Sequence, residues 1–321
     1  MSGPTPVGGP AGEERDRTSE APVVGHLALI GVGLIGSSLA RAARAYGAAA
    51  QVSGYDMNPG HLARAVELGL LDRAADSAAE AVADADLVIL CTPLGSYAAL
   101  GAAIAGALKP GAVVSDVGSS KGSVLRDLGP VLPAGVTLVP AHPVAGTEQS
   151  GPDAGFATLF RDRWCILTPP EGAAPSAVAL VEAFWAALGS KVERMDAQHH
   201  DLVLAITSHV PHLIAYNIVA TADDLESVTK SEVIKYSAGG FRDFTRIAAS
   251  DPVMWRDVCL NNREAVLEML ARFTEDLTAL QRAIRWGEGD RLLELFTRTR
   301  AIRRQIIDAG QETDAPDFGR R

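Results

Sequence analysis

Gly31-Val32-Gly33-Leu34-Ile35-Gly36 does more than any other stretch to limit the folds open to this chain. It follows a short apolar strand, Leu27-Ala28-Leu29-Ile30, and opens an alanine-rich helical stretch from Ser37 to Tyr46. Strand, glycine-spaced turn and helix in that order begin a β-α-β unit of the kind that holds a dinucleotide. Gly31 permits the tight turn, Gly33 lets a pyrophosphate approach the backbone, and Gly36 lets helix and strand pack closely. Leu34 and Ile35 fall at the helix N-terminus, whose unpaired amides face the phosphates. A second strand, Gln51 to Tyr55, ends at Asp56, about 20 residues past the last glycine, where the fingerprint expects an acid. A carboxylate there accepts hydrogen bonds from both ribose hydroxyls and repels a 2′-phosphate. Met57-Asn58-Pro59 follow with no arginine, so the expected cofactor is NAD and not NADP. The alternative, a glycine-rich packing turn in an α/β protein without a ligand, is disfavoured by the full strand-turn-helix context.

The alternation continues. Asp86 to Cys91 is a buried-type strand ending in Thr92-Pro93, which are assigned to the same cofactor site, and Ala112 to Val117 is another. Helical segments around 96–108 and 120–128 separate them. Val136 to Ala141 and Trp164 to Thr168 add two strands, followed by a helix around 175–188 and a strand around 191–195. The expected fold class is an α/β Rossmann-type doubly wound parallel sheet at the N-terminal end, then an all-α C-terminal dimerisation domain. The boundaries expected are a disordered arm over 1–24, a dinucleotide-binding domain over 25–195, a helical domain over 196–312 and a short tail over 313–321. From Ala197 the strand signals cease. Leu202, Ile206, His209 and Leu213 recur at helical spacing and describe one face, which Pro211 should kink. Further helical patterns run from Asn261 to about Trp286 and from Asp290 to Ala309; long apolar helices of this kind point to a homodimer.

Composition narrows the partners. The chain has 321 residues, enough for two domains, and its 29 basic and 39 acidic side chains leave a net charge of −10, which disfavours nucleic acid. An acidic protein that binds an anion must concentrate its cations locally. Cys91, Cys165 and Cys259 are far apart in apolar segments and read as buried thiols, not as a disulfide framework or a metal site. No signal-peptide core and no apolar run long enough to span a membrane are read, so a cytoplasmic protein is expected.

Two segments carry candidate chemistry. His142-Pro143-Val144-Ala145-Gly146-Thr147-Glu148 follows the apolar run to Ala141, where a strand should end. Ligands of open α/β sheets bind at such ends, and a histidine there acts as a base near neutral pH. It equally reads as a cap that hydrogen-bonds the strand backbone. Downstream, Ala238-Gly239-Gly240-Phe241-Arg242-Asp243-Phe244-Thr245-Arg246-Ile247 reads as a loop in which paired glycines admit a ligand and an arginine clamps a carboxylate. The plain alternative is a surface loop with Arg242 or Arg246 bridged to Asp243.

Taken together, Gly31–Gly36 with Asp56, Asp116-Val117-Gly118-Ser119-Ser120-Lys121, His142–Glu148 with Gln149-Ser150-Gly151, Ser208-His209-Val210-Pro211-His212, Gly239–Ile247 and Asp251–Trp255 resemble the prephenate/arogenate dehydrogenase family. The resemblance covers residues 26–310 and implies NAD-dependent oxidative decarboxylation of a cyclohexadienol carboxylate, with prephenate as the expected substrate. Arogenate and 4-amino-4-deoxyprephenate stand as alternatives, and a non-catalytic NAD-binding protein as the rival of a different class. It implies that His142 takes the proton of the ring hydroxyl and that Ser119 holds that hydroxyl or orients the imidazole. Ser120 stands where the family more usually has a β-branched residue, which leaves open which serine faces the substrate. Arg246 is the implied clamp for a substrate carboxylate, steadied by Asp243. His212 is favoured over His209 for the site, Thr147 and Glu148 polarise or gate the pocket, and Trp255 lines it from the partner subunit or sits in the core. Lys121 is expected to be solvated, and no metal is expected because His209 and His212 lack the spacing of a zinc helix. The chain ends soon after the third helical pattern, so a stand-alone dehydrogenase is expected.

Overall fold

The computed structural model describes residues 21–147, 149–229, 235 and 238–308, which fall into two compact units divided between Val266 and Leu267. The expected N-terminal arm lies outside the described residues as far as position 20, and so does the C-terminal tail. Strand β1 already begins at Val24.

In the first unit, β1 (Val24–Ile30), β2 (Ala49–Tyr55), β3 (Arg73–Ala74), β4 (Leu87–Leu90), β5 (Val113–Asp116) and β6 (Thr137–Leu138) make a six-stranded parallel sheet in the order β3-β2-β1-β4-β5-β6. Leu27 and Leu29 of β1 point into one core with Leu87, Ile89, Phe184 and Trp185. Ala28 and Ile30 point into the other with Val88, Leu90, Tyr97 and Leu128. Alternate residues of one strand are therefore buried on opposite faces, which is why the strands read as apolar runs and not as alternations. Helices α1 (Leu34–Ala45), α2 (Pro59–Glu67), α3 (Ala78–Val82), α4 (Tyr97–Ala105) and α5 (Lys121–Leu128) form the crossovers. The order of the strands reverses between β1 and β4, and the crevice at their carboxyl ends is where such sheets bind ligands.

Val136 to Ala141 is not one strand. The chain leaves the large sheet after Leu138 and starts a second sheet with β7 (Ala141–Pro143), antiparallel to β8 (Trp164–Leu167), which is parallel to β9 (Lys191–Arg194). Pro140 intervenes, without an amide hydrogen to continue a ladder. His142 accordingly lies inside a strand, opposite Ile166, and not beyond a strand end. Helix α6 (Pro175–Ala187) closes this half.

The remaining helices of this unit are α7 (Ala197–Leu204), a π-helical turn at Ala205–His209, α8 (Val210–Thr229), α9 (Gly239–Thr245) with a 3-10 turn at Arg246–Ala249, and α10 (Pro252–Asn261). The expected kink takes the form of the π turn. Pro211 has no amide hydrogen for the Thr207 carbonyl, and the helix widens just before it. The widening shifts the helical register. The buried face is Ala197, His200, Asp201, Leu204, Ala205 and His209, whereas Ile206, expected inside, is 47% exposed. The Arg246 segment, expected as a loop, is helix α9 and its 3-10 extension.

Ala197–Asp224 is also a correction to the expectation that no run suits a membrane. It is a 28-residue helical stretch containing an 18-residue window of mean hydropathy 1.5, long and apolar enough by length and composition. His200, Asp201 and His209, three polar side chains of this stretch, are buried with hydrogen-bond partners. Helix α11 (Arg263–Trp286) runs from the first unit into the second, where α12 (Gly289–Ile306) follows a turn at Gly287 with φ +68°. Within the second unit Leu277, Ile284, Leu293, Phe296 and Ile302 are exposed.

Candidate active site

The cofactor end is built by the turn after β1. Gly31 has φ +96°, and a Cβ there would meet the Cys91 carbonyl at 2.9 Å. At Gly36 a Cβ would stand 2.0 Å from the Gly31 oxygen, so neither position tolerates a side chain without movement. Gly33 has nothing within 4 Å of such a Cβ, and it caps α1 without any side-chain hydrogen bond. The first amides of α1, at Leu34 and Ile35, are thus left for an anion that can come close to the backbone. Asp56 leaves β2 beside this turn: its Oδ2 accepts from the Val32 amide at 2.8 Å and its Oδ1 from the Asn58 amide at 2.8 Å. Thr92 Oγ1 pairs with Ser96 Oγ at 2.8 Å, and Ser96 Oγ donates to the Pro93 carbonyl, which fixes the turn after β4. These residues fit NAD: an open backbone cradle at a helix start and a carboxylate at the ribose position.

The second part is centred on His142, which is 8% exposed. Its Nδ1 is 2.9 Å from His200 Nε2, and His200 Nδ1 is 2.8 Å from Asp201 Oδ1. Asp201 also accepts the Lys121 amide at 2.7 Å and the Gly122 amide at 2.8 Å, the first amides of α5. Asp196 caps α7 by accepting from the Gln198 and His199 amides, which sets the helix start that presents His200 and Asp201. Burial holds the His142 imidazole well below the usual histidine range, helped by the neighbouring His200 and Lys121. Burial also lowers His200, although the hydrogen bond to Asp201 opposes it. Burial alone would raise the Asp201 carboxyl; the bonds from His200, Lys121 and Gly122 outweigh it and keep Asp201 below the usual range.

Lys121, expected in solvent, is fully buried. Its Nζ lies 2.6 Å from Asp116 Oδ2 and donates to the Ala141 carbonyl at 2.7 Å. Asp116 Oδ1 accepts the Ala141 amide at 3.2 Å. The pair therefore grips the residue that precedes His142. Ser120 is buried as well, with its hydroxyl 3.3 Å from Asp201 Oδ2 and 3.3 Å from the Asn261 carbonyl. Ser119 is half-buried, and among the described residues its hydroxyl has no partner. The helix cap falls on Ser120, not on Ser119.

A third group follows from the helical part. Asn262 Nδ2 donates to the Asp201 carbonyl at 2.8 Å and lies 3.1 Å from His209 Nδ1. His209 is fully buried, its Nε2 has no partner, and burial lowers its pKa to about 4. Its ring meets Trp255 edge-on at 6.1 Å, and Trp255 stacks on His212 at 3.6 Å and 21°. Trp255 thus makes these contacts within its own chain. His212 Nδ1 donates to the Ser208 carbonyl at 2.8 Å; burial and the charge of Arg246 lower its pKa. Arg246 is exposed, close enough to act on His212, with Asp243 exposed one helical turn before it. Asp251 caps α10 through the Met254 amide and so sets the helix that carries Trp255.

His142, His212 and Trp255 therefore stand on one connected network, with Ser119 next to Ser120 in the chain and Arg246 exposed near His212, while Thr147 is exposed and its hydroxyl accepts the Gln149 amide. Glu148 lies outside the described residues. The sequence reading missed His200, Asp201 and Asn262. The available signal was a His-Asp pair at the start of an otherwise apolar helix, on the stripe shared with Ala197 and Leu204. No group of three or more metal-ligating side chains occurs among the described residues.

A family model described as prephenate dehydrogenase, nucleotide-binding domain, matches residues 39–194, and one described as prephenate dehydrogenase, dimerization domain, matches residues 196–298. The chain is 45% identical over 278 residues to a cyclohexadienyl dehydrogenase of Zymomonas mobilis, covering 87% of this chain and 94% of the relative. It is 31% identical over 269 residues to a prephenate dehydrogenase of Bacillus subtilis, covering 84% and 72%. Among solved structures, prephenate dehydrogenase of A. aeolicus in complex with hydroxyphenyl propionate and NAD+ superposes with a TM-score of 0.82 at 33% identity, covering 88% of this chain and 98% of that one.

Proposed function

Because the chain belongs to the prephenate dehydrogenase family, we propose that it oxidises prephenate to 4-hydroxyphenylpyruvate, with NAD as hydride acceptor and loss of the ring carboxylate as CO2. The observation that carries this reading is His142, buried, neutral and held by His200 at one ring nitrogen, which leaves the other for the substrate. The α1 amides around Gly33 would hold the phosphates of NAD and Asp56 its ribose, with Thr92 and Pro93 at the neighbouring turn, and NAD so held would supply the hydride acceptor.

His142 accepts the proton of the ring hydroxyl at Nε2 as the carbinol carbon is oxidised. Ser119 holds the same hydroxyl; Ser120 is committed to Asp201 and Asn261, which favours Ser119 for the role. Arg246 clamps a substrate carboxylate with its planar fork, and its exposed position in an acidic chain suits an anion. Asp243 steadies Arg246 from the preceding turn. His212, stacked on Trp255, faces the substrate side chain, and Thr147 polarises or gates the pocket. Decarboxylation makes the ring aromatic, so the side chains supply orientation, a proton acceptor and a dry environment.

A second reading has its own support. The Zymomonas mobilis relative is named for the cyclohexadienyl class and not for prephenate, so arogenate is a further substrate of the same site. The two differ only at the side chain, a keto group against an amine. The matched dimerization domain and the exposed apolar residues of the second unit support a homodimer, and three free cysteines support a reducing, cytoplasmic setting. The test is reduction of NAD by purified protein given prephenate, arogenate or the 4-amino analogue, each repeated with NADP. Turnover with prephenate and NAD is expected. Arogenate turnover alone would replace the prephenate reading, and no turnover with any of them would remove the dehydrogenase reading.

A further inference from the structure

We infer that Asp201 and His200 are positioning residues that hold His142 as the tautomer protonated on Nδ1, so that its Nε2 lone pair is the one presented to substrate. A chain of contacts from Asp201 to His142 carries this, given the proposed role of His142 as proton acceptor.

Asp201 Oδ1 and Oδ2 accept the Lys121 and Gly122 amides, at 2.7 and 2.8 Å, so the group is an acceptor on both oxygens. The His200 nitrogen 2.8 Å from Oδ1 must then carry a hydrogen. In a neutral imidazole only one nitrogen does, so His200 Nε2 is an acceptor. It lies 2.9 Å from His142 Nδ1, which must in turn be the donor. The hydrogen on His142 is thereby fixed on the side away from substrate. When the substrate O–H breaks and the Nε2–H bond forms, His142 becomes an imidazolium in a buried place. The Asp201 carboxylate, one ring away, is the anion that offsets this charge. Orientation and charge stabilisation are what a buried carboxylate behind a catalytic histidine supplies in hydrolases; here a second histidine extends the reach.

The same carboxylate organises the other side of the site. Its amide partners begin α5, directly after Ser119 and Ser120, and Ser120 Oγ also reaches it at 3.3 Å. One side chain therefore sets both the tautomer of His142 and the placement of the turn that carries Ser119. The charged and titratable groups around His142 are Asp116 at the end of β5, Lys121 at the start of α5, Cys165 on β8, His200 and Asp201 on α7, and His209 beyond them.

The test combines 15N spectroscopy of histidine-labelled full-length protein with kinetics. His142, assigned by its loss in His142→Asn, is expected to show the Nδ1–H tautomer. Asp201→Asn is expected to lower kcat about 100-fold or more, with KM little changed, and to move the acidic limb of the kcat profile to lower pH, because the anion that favours the imidazolium is gone. His200→Gln keeps an amide able to donate to Asp201 and accept from His142, and is expected to retain more activity than His200→Leu. NAD binding and thermal unfolding establish that each variant is folded. An Nε2–H tautomer in the wild type, or an unchanged kcat and pH profile in folded Asp201→Asn, would overturn the inference. Should the wild type turn over no substrate, the functional reading fails, while the tautomer still decides the positioning role.

Discussion

Lys121 Nζ lies 2.6 Å from Asp116 Oδ2, with both side chains completely buried. Burial disfavours both charges: it raises the Asp116 carboxyl and lowers the Lys121 amine, and their mutual attraction offsets this only in part. The pair holds the Ala141 backbone by its amide and its carbonyl, one residue before His142.

Breaking such a pair leaves one buried group without its partner. Lys121→Met is expected to destabilise the protein by about 3–5 kcal/mol in chemical denaturation, and adding Asp116→Asn should return part of that loss. Wild-type stability in the single variant would mean that the ion pair contributes nothing.

The two glycines of the turn separate folding from cofactor binding. Gly36→Ala brings a Cβ against the Gly31 carbonyl and should lower the unfolding temperature. Gly33→Ala meets no protein atom, so it should unfold like the wild type and bind NAD more weakly in calorimetric titration. Equal NAD affinity for Gly33→Ala and wild type would move the pyrophosphate away from this turn.

Acid should weaken the fold before the carboxylates titrate. His209 is held neutral down to about pH 4, whereas an unfolded histidine protonates near 6.5. The unfolded chain thus binds more protons between these values, and stability falls as pH drops through that window, by roughly 3 kcal/mol for this residue. His142 and His200, also lowered, act in the same direction. Asp72, Asp86 and Asp201 lie below the usual carboxylate range, so their contribution is lost only at lower pH. Urea unfolding between about pH 7 and pH 4.5 should show the decline, and His209→Asn should flatten it. A flat profile in the wild type would contradict the buried neutral state.

Arg246→Ala should raise KM for substrate about 10–100-fold, the worth of a charged hydrogen bond of about 1.5–3 kcal/mol, and leave NAD affinity alone. A normal KM in steady-state kinetics would take the clamp role from Arg246.

Much of this architecture was legible in the residues. Gly31, Gly33 and Gly36 announced the nucleotide fold because each glycine answers a local steric demand, and local demands are written locally. The strand break at Pro140 and the face of the helix after Ala197 were not legible. Two short strands on either side of a proline look like one apolar run, and the π turn at Ala205–His209 breaks the periodicity, so a face drawn through Leu202, Ile206 and His209 overrides the stripe of Ala197, His200, Asp201 and Leu204 that starts the helix. Lys121 read as solvated because its partner is set by a turn that the spacing of Asp116 and Lys121 does not reveal. His142 stood out in the sequence, but what fixes its ring comes from a helix 58 residues away.

In the proposed function His142 takes the substrate proton while NAD binds elsewhere. The most direct measurement compares His142→Asn with the wild type in kcat for prephenate and in the dissociation constant for NAD. A fall in kcat of about 100-fold to 10,000-fold with NAD affinity unchanged is expected; a kcat equal to that of the wild type would contradict the role of His142.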